Sequence, residues 1–546
     1  LNYFLKIMHR HRQHGCRFPV SLITAALLAA WTISVASASA ASTTDAAAFR
    51  ADIEKLASLR DRSTGTAGNQ AAAEYLREVF ESLGLETVGA QKFSVPVIRH
   101  DGSRLSLPDP GGAIDLTPVI LNAITPQTIP PDGIEGPLVY VAGGEMSDFN
   151  GKPIEGAVVL MDIDSGKHWL NAASLGAVAL IYVDGDTTPK MLYKEKMELS
   201  PIQFPRFRME KSTLRNIFGD FESAPEGIVA PRVRLTSKIG WQEVVSENIY
   251  GLIPGADPRL REQVVIVEAF YDSTAILPGY APGADEACSI ATLLGIARTF
   301  VRQPPGRSVL LVATSGHAQT LAGMREMIWS IASRSKDLRD MKKELKSVEK
   351  ESRDYLDILE GSLDEAAFER LMRENGVNGR MLLEALKDRI KTEVDAQSRR
   401  LMRLRLLGDA QSDEELIQTL AQKRFTLRRL VWRASLANLS AEEKRSLREL
   451  FPLAIKDYKR MLADTDRQLK MLGSARNFRS TAKSLEIAAI VSLHLSSHGD
   501  GFGAFNDGWM YPLRERVNRV PPYSLLDEVL RESAKPAAEA SFYQDT

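Results

Sequence analysis

Val264-Val265-Ile266-Val267-Glu268-Ala269-Phe270-Tyr271-Asp272-Ser273 is an apolar, largely β-branched run that ends in a polar turn. Continuous hydrophobicity over so short a length predicts a buried strand. Downstream, Gly283-Ala284-Asp285-Glu286-Ala287-Cys288-Ser289 opens a helix whose buried face reads Leu293, Leu294, Ile296, Ala297 and Phe300. A second strand, Ser308 to Thr314, runs into Ser315-Gly316-His317-Ala318-Gln319. Strand, helix and strand in this order predict an α/β domain, in which ligands gather at the carboxyl ends of the strands.

These stretches resemble the aminopeptidase and glutamate carboxypeptidase family of two-zinc exopeptidases. There the first strand ends His-x-Asp, the helix opens on Gly-Ala-x-Asp-Asn, the second strand leads into Ser-Gly-Glu-Glu, and a later strand ends Asn-Leu-Asp-Met. The matching positions here carry Phe270 for His, Glu286 for Asp and His317-Ala318 for Glu-Glu. Ser492-Leu493-His494-Leu495 places His494 where the family has a zinc-ligating Asp. In the family each zinc takes nitrogen and oxygen ligands, a carboxylate bridges the two ions, and a free Glu is the base for the bound water. Carried over residue by residue, the first site keeps Glu286, gains His494 and loses its His to Phe270. The second keeps only Glu286, since Ala318 cannot ligate and no histidine follows His498. His317 stands where the base would be and can carry a proton near neutral pH. Asp272 survives, although its family role is to orient the missing histidine. The resemblance thus implies at most one divalent metal, zinc first, on Glu286 and His494, with His317 as a ligand or acid/base and Asp272 beside it. The other outcome is no metal, with Phe270 filling the space of the ion and its water.

The rest of the chain reads outward from this core. Phe49, Ile53, Leu56 and Leu59 mark an amphipathic helix. The turn Ser63-Thr64-Gly65-Thr66-Ala67-Gly68-Asn69, a second helix through Tyr75, Leu76, Val79, Phe80 and Leu83, and a strand at Gln91–Val95 follow, an entry that also resembles the family. From Pro108 to Ser246 the texture turns to short strands, with Gly136–Val141, Gly156–Met161 and Gly176–Tyr182 around a helix from Trp169 to Leu175. This rhythm resembles the protease-associated domain, whose family role is lid or substrate-access control. Ser335 to Ser480 holds one proline, Pro452, and nearly half of the chain's 69 basic residues. Leu338, Met341, Leu345, Val348, Tyr355 and Leu359 step three and four apart, as do Leu383, Leu386, Ile390, Val394, Leu401 and Leu404. Leu447, Leu450, Ala454, Tyr458 and Met461 repeat the pattern, so three or four long helices with coiled-coil-like stripes are expected. Their breaks fall at Gly361, Asn375-Gly376, Gly408-Asp409 and Asn438-Leu439-Ser440, the last beginning a capping box with Glu443. Arg399-Arg400-Leu401-Met402-Arg403-Leu404-Arg405 within it is either a solvated helix face or a contact for an anionic surface. Leu485–Leu495 resumes the sheet. The loop Ser496–Gly503 is either a Gly-rich crossover or, through Asp500, a ligand-lining segment.

Hydrophobic residues at 44% and charged residues at 25% are ordinary for a globular protein, and a net charge of −1 argues against a global nucleic-acid or membrane-surface role. Arg10, Arg12 and Arg17 precede the apolar run Phe18–Val35, and Ala38-Ser39-Ala40 fits a signal-peptidase site. A cleaved signal peptide is expected, with an uncleaved anchor as the alternative; Met8 would begin it more cleanly than Leu1. Cys288 is then the single thiol after cleavage, which excludes an intrachain disulfide and fits a bacterial periplasmic or secreted protein.

The expected organisation is α/β: a three-layer zinc-exopeptidase-like domain with an inserted β-rich protease-associated domain and a long α-helical insertion. Its parts are a signal peptide (1–40), an N-terminal piece of the peptidase-like domain (41–107), the protease-associated domain (108–246), the core (247–334), the helical insertion (335–480) and a C-terminal piece (481–546) shorter than the family's. Two functions follow. One is an exported pseudo-peptidase that holds a peptide or protein in its cleft and a protein partner, or a second copy, on its helical insertion. The other is an active metal-dependent peptidase or amidohydrolase with a rebuilt single-metal site. Neither involves nucleic acid or a membrane span after signal cleavage.

Overall fold

In the computed structural model the described residues are 43–496, apart from 109–111, 123–124, 186–191, 194, 198–201, 375, 408–413 and 434–435. The signal-peptide reading, His498 and Asp500 lie outside them. The chain forms two units, 1–52 with 495–546, and 53–494. Everything below concerns the second.

Eleven strands form its sheet: β1 Glu86–Ser106, β2 Ala113–Asp115, β3 Thr117–Pro118, β4 Ile134–Tyr140, β5 Val158–Asp162, β6 Ala179–Asp184, β7 Arg206–Glu210, β8 Ile228–Ile253, β9 Gln263–Phe270, β10 Ser308–Thr314 and β11 Glu486–Leu493. The main path runs β11-β9-β10-β8-β4-β5-β6-β7-β3, and β1 pairs with β8 and β2. β9 lies between β10 and β11, parallel to both, with Thr314 opposite Phe270 and Ser492 opposite Glu268. The long antiparallel ribbon of β1 and β8 joins this parallel part to the short strands β4–β7. A boundary at 246/247 therefore falls inside one continuous strand.

Helices cover both faces of the parallel part. On one side α2 (Ala67–Ser82) and α5 (Ala287–Arg302) bury Leu76, Phe80, Ile290, Leu293 and Leu294 against Val267, Ala269, Leu311 and Ala313. On the other, α6 (Ala322–Ala332) and the end of α11 (Ala441–Lys483) set Met327, Phe478 and Ala482 against Val264, Ile266, Leu310 and Val312. The alternation of these two residue sets along β9 and β10 is why the strands read as unbroken apolar runs. The result is the expected α/β sandwich of three layers. Helices α1 (Thr43–Ala57), α3 (Trp169–Ser174) and α4 (Lys211–Phe218) complete the described part before the insertion.

Among the described residues the segment expected as a helical insertion contains five helices rather than three or four: α7 Ser335–Gly361, α8 Glu365–Glu374, α9 Val377–Leu407, α10 Glu414–Val431 and α11. Gly361 ends α7, Gly376 directly precedes α9 and Asn438-Leu439-Ser440 precedes α11, while Asn375 and Gly408-Asp409 lie outside the described residues. Ser440 and Glu443 form the predicted capping box at the start of α11. Tyr355, Leu359, Leu383, Leu386, Ile390, Leu447, Leu450 and Ala454 meet in one core with Phe368, Leu427 and Phe451. The stripes therefore close a bundle, and only the far half of α11 returns to the sheet. Among the described residues no helix is long and apolar enough to cross a membrane.

Candidate functional site at the strand ends

β9, β10 and β11 end side by side, and each delivers one ring. Phe270 closes β9, His317 follows β10, and His494 follows β11. The Phe270 and His317 rings stack at 3.9 Å between centroids, 17° apart in plane. His494 lies 5.3 Å from Phe270 and 5.1 Å from His317. Phe270 is buried, His317 half-buried and His494 exposed, so the trio runs from the core to the surface at the strand ends. Burial holds the His317 imidazole well below its ordinary pKa, at about 4; the neighbouring His494 adds to this, and the charge of Glu286 works against it. His317 is consequently neutral at physiological pH, able to donate or accept one hydrogen bond.

Beneath the rings, the strand-to-loop turns are held by two fully buried ionisable side chains, Asp272 and Arg62. Asp272 Oδ2 accepts from Thr64 Oγ1 at 2.7 Å, from the Gly316 amide at 3.0 Å and from the His317 amide at 3.1 Å. Burial pushes its carboxyl up to about 7, although these donors pull the other way. Arg62 donates to the carbonyls of Tyr271, Pro282 and Gly283, the last two at 3.0 and 2.6 Å. Its planar fork thereby fixes the loop after β9 and the approach to α5. Gly283 has φ +60°, and a Cβ there would lie 2.7 Å from Glu286 Oε2 and 2.9 Å from Arg62 Nη2, so no other residue suits this crossing. Replacing Arg62 by Lys keeps the charge but loses the fork. It is expected to cost about 2–3 kcal/mol, read by denaturant unfolding; a loss under about 0.5 kcal/mol would show that the fork does not hold these turns.

Glu286 stands at the N-cap of α5, and its Oε1 accepts from the Thr274 amide at 3.1 Å. The loop between β9 and α5 also sends Ile276 and Leu277 into the core of the β4–β7 part, beside Val119 and Leu121, with Ile120 N donating to Ile276 O at 2.7 Å. That contact fixes the β-rich part beside the loop that carries the site. One strand-register step below the rings, Glu268 is buried; Thr314 Oγ1 donates to Oε1, and Ser492 Oγ to Oε2 at 2.5 Å. Burial raises the pKa of this carboxyl.

Of the four residues singled out from sequence, His317 and His494 meet at the strand ends. Asp272 lies underneath, bound to the backbone of His317, and Glu286 belongs to the helix entry. Sequence reasoning missed Arg62, Thr64 and Glu268. The last was legible as the single charge in an apolar strand; Arg62 had no such signal beyond standing next to the Ser63–Asn69 turn.

The two-zinc centre of the family does not fit these residues, as the substitutions led one to expect. Phe270 places a hydrocarbon ring where a ligand would stand, Ala318 offers no donor, and Glu286 already accepts from a backbone amide. Among the described residues no three His, Cys, Asp or Glu side chains converge in a way that could hold a metal ion.

Residues 248–346 match peptidase family M28. No curated protein matches the chain. Among solved structures, a zinc aminopeptidase from Bacillus subtilis is similar at 22% identity and a TM-score of 0.38, over 54% of this chain and 66% of that one. An aminopeptidase from Aneurinibacillus sp. strain AM-1 is similar at 18% identity and a TM-score of 0.32, over 54% and 68%. A peptidase M28 precursor from Shewanella amazonensis SB2B is similar at 17% identity and a TM-score of 0.33, over 53% and 69%. The chain thus spans about two thirds of the length of each. Phe270, Asp272, Glu286 and His317 lie within the stretch that matches peptidase family M28, and His494 lies outside it.

Proposed function

We propose that this protein is an exported pseudo-peptidase whose strand-end cleft binds a peptide or a protein terminus instead of cleaving it. The observation that carries the reading is the Phe270 ring stacked on His317 at the end of β9. A neutral imidazole backed by the buried Phe270 ring, beside an exposed second imidazole, suits side-chain and backbone contacts of a peptide. Glu286 supplies a carboxylate for an α-amino group. Export rests on the sequence of residues 1–40 alone, and the β4–β7 part is read as a protease-associated domain from its sequence rhythm.

The second reading, an active hydrolase with one metal on Glu286 and His494 and with His317 as acid/base, draws on the 5.1 Å approach of the two imidazoles. One set of measurements separates the readings: metal content of the purified chain, hydrolysis of aminoacyl and dipeptide substrates with added Zn, Mn or Co, and calorimetric binding of a short-peptide panel. The first reading expects substoichiometric metal, no turnover, and peptide binding weakened about tenfold or more by Phe270→Ala, the loss expected for one buried aromatic contact. Stoichiometric metal that disappears with His494→Ala, with turnover tracking it, would establish the second reading instead.

A further inference from the structure

Helices α9 and α10 are neighbours in chain and in packing, and each carries a stretch whose charges are all basic. From Ala396 to Leu407 the charged residues are Arg399, Arg400, Arg403 and Arg405; from Leu416 to Arg433 they are Lys423, Arg424, Arg428, Arg429 and Arg433. Neither stretch contains an acid, whereas the whole chain has a net charge of −1. Acids of α11 meet part of this charge: Glu449 pairs with Lys423, and Glu443 with Arg429 and Arg433. Arg399, Arg400, Arg403, Arg405 and Arg428 are exposed and have no ion-pair partner among the described residues.

The same two stretches expose large apolar side chains. Trp432 is 84% exposed, Leu406 75% and Met402 65%, the three highest values among the exposed large hydrophobics of the described residues; Phe425 is 57% exposed. Their spacing is the decisive feature. Arg399, Met402, Arg403 and Leu406 fall at i, i+3, i+4 and i+7 of α9. Phe425, Arg428, Arg429 and Trp432 repeat that spacing along α10 and one residue past it. Each helix thus presents one stripe that combines two arginines with two large apolar groups. The opposite sides, with Leu401, Leu427 and Leu430, are buried, so the stripes are not misplaced core.

We propose that the α9–α10 hairpin is a docking element for an anionic phospholipid surface. Arginines draw the hairpin to negative headgroups and keep their guanidinium heads at that level, while Met402, Leu406, Phe425 and Trp432 enter the headgroup and acyl boundary. A nucleic acid or another polyanion would use the arginines but would leave Met402 and Leu406 without a partner. The aliphatic half of each stripe is what favours a bilayer. The insertion would then hold the strand-end cleft at a membrane surface without spanning it.

The test is co-sedimentation of the full chain with phosphatidylcholine vesicles with and without phosphatidylglycerol, at low and high salt. Binding is expected only with phosphatidylglycerol, falling with salt. The triple variant Arg399→Gln/Arg403→Gln/Arg428→Gln should lose roughly fivefold per arginine, and Leu406→Ser/Trp432→Ser about tenfold or more. All five positions are exposed, so circular dichroism should match the parent, and a Trp432→Phe variant identifies the blue-shifted emission expected on vesicles. No binding to phosphatidylglycerol vesicles, equal binding to phosphatidylcholine alone, or insensitivity to both variants would overturn the proposal. So would binding of a DNA duplex or an acidic peptide by a chain indifferent to vesicles.

Discussion

Asp272→Ala is expected to cost the fold about 3–5 kcal/mol, while Asp272→Asn stays within about 1 kcal/mol at pH 7.5 and alters how stability depends on pH. The alanine leaves the Gly316 and His317 amides facing a fully buried void with no acceptor, while the Thr64 hydroxyl keeps only Gln319 Oε1. The asparagine keeps an acceptor oxygen for them and removes the charge. Because the folded Asp272 carboxyl titrates near 7 rather than near 3.8, the native state holds a proton between about pH 4 and 7 that the unfolded chain has released. Its contribution is therefore full below about pH 4 and is lost as pH rises through 7. His317 acts in the opposite sense. Its folded pKa near 4 lies below the ordinary 6.5, so its contribution is present above about 6.5 and is lost as pH falls toward 4. The two slopes oppose each other over nearly the same window, which flattens the profile of the parent chain. Asp272→Asn removes one of them, and urea unfolding at several pH values from 4.5 to 7.5 should then show stability climbing with pH to about 6.5 and levelling above it. A variant profile parallel to the parent's, or an alanine loss under about 1 kcal/mol, would mean that Asp272 is not the buried acceptor that fixes the His317 turn.

How far the sequence anticipates this arrangement depends on the range of the interactions. The strands β9 and β10, the helix after Glu286, the breaks of the insertion and the Ser440–Glu443 cap are written in short-range pattern, and they appear within a residue or a few of where periodicity puts them. The convergence of Phe270, His317 and His494 was legible only because all three close neighbouring strands. Arg62 is different: its three carbonyl partners lie more than two hundred residues downstream, and no local pattern encodes such a contact. The β1–β8 ribbon was missed for a related reason. Pro, Gly and Ser punctuation suggested short strands, but antiparallel pairing with bulges near Glu86–Gly89 and His100–Ser103 carries the two strands through it. Glu268 shows the reverse case. Its burial was visible in the strand run, while its donors, Thr314 and Ser492, required the order β10-β9-β11 to be known.

Phe270→His is expected to convert this cleft into a zinc site, with about one ion per chain and an affinity at least about tenfold above the parent's. Two imidazoles that share a tetrahedral zinc, each nitrogen at about 2.0–2.1 Å, place their ring centroids about 5 Å apart. The Phe270 and His494 rings already stand 5.3 Å apart, and His317 lies 5.1 Å from His494. A histidine at position 270 would therefore complete a group of three imidazoles with little movement of β9 or β11. The stacked approach to His317 at 3.9 Å is closer than shared ligation allows, so that ring must turn, which its half-buried position permits. The depressed basicity of His317 helps, because no proton has to leave it at neutral pH before a metal binds. Equilibrium dialysis against buffered zinc, with metal analysis of the retained protein, measures the gain. His494→Ala in the Phe270→His background should abolish it, and Phe270→Ala, which opens space without adding a donor, should show none. If Phe270→Ala took up zinc as well as Phe270→His, the ring would be blocking a competent site instead of marking the loss of a ligand, and the pseudo-peptidase reading would fall. If Phe270→His bound no zinc while remaining folded, the strand ends would not hold their rings in the arrangement described, and the cleft would have to be rebuilt from different contacts.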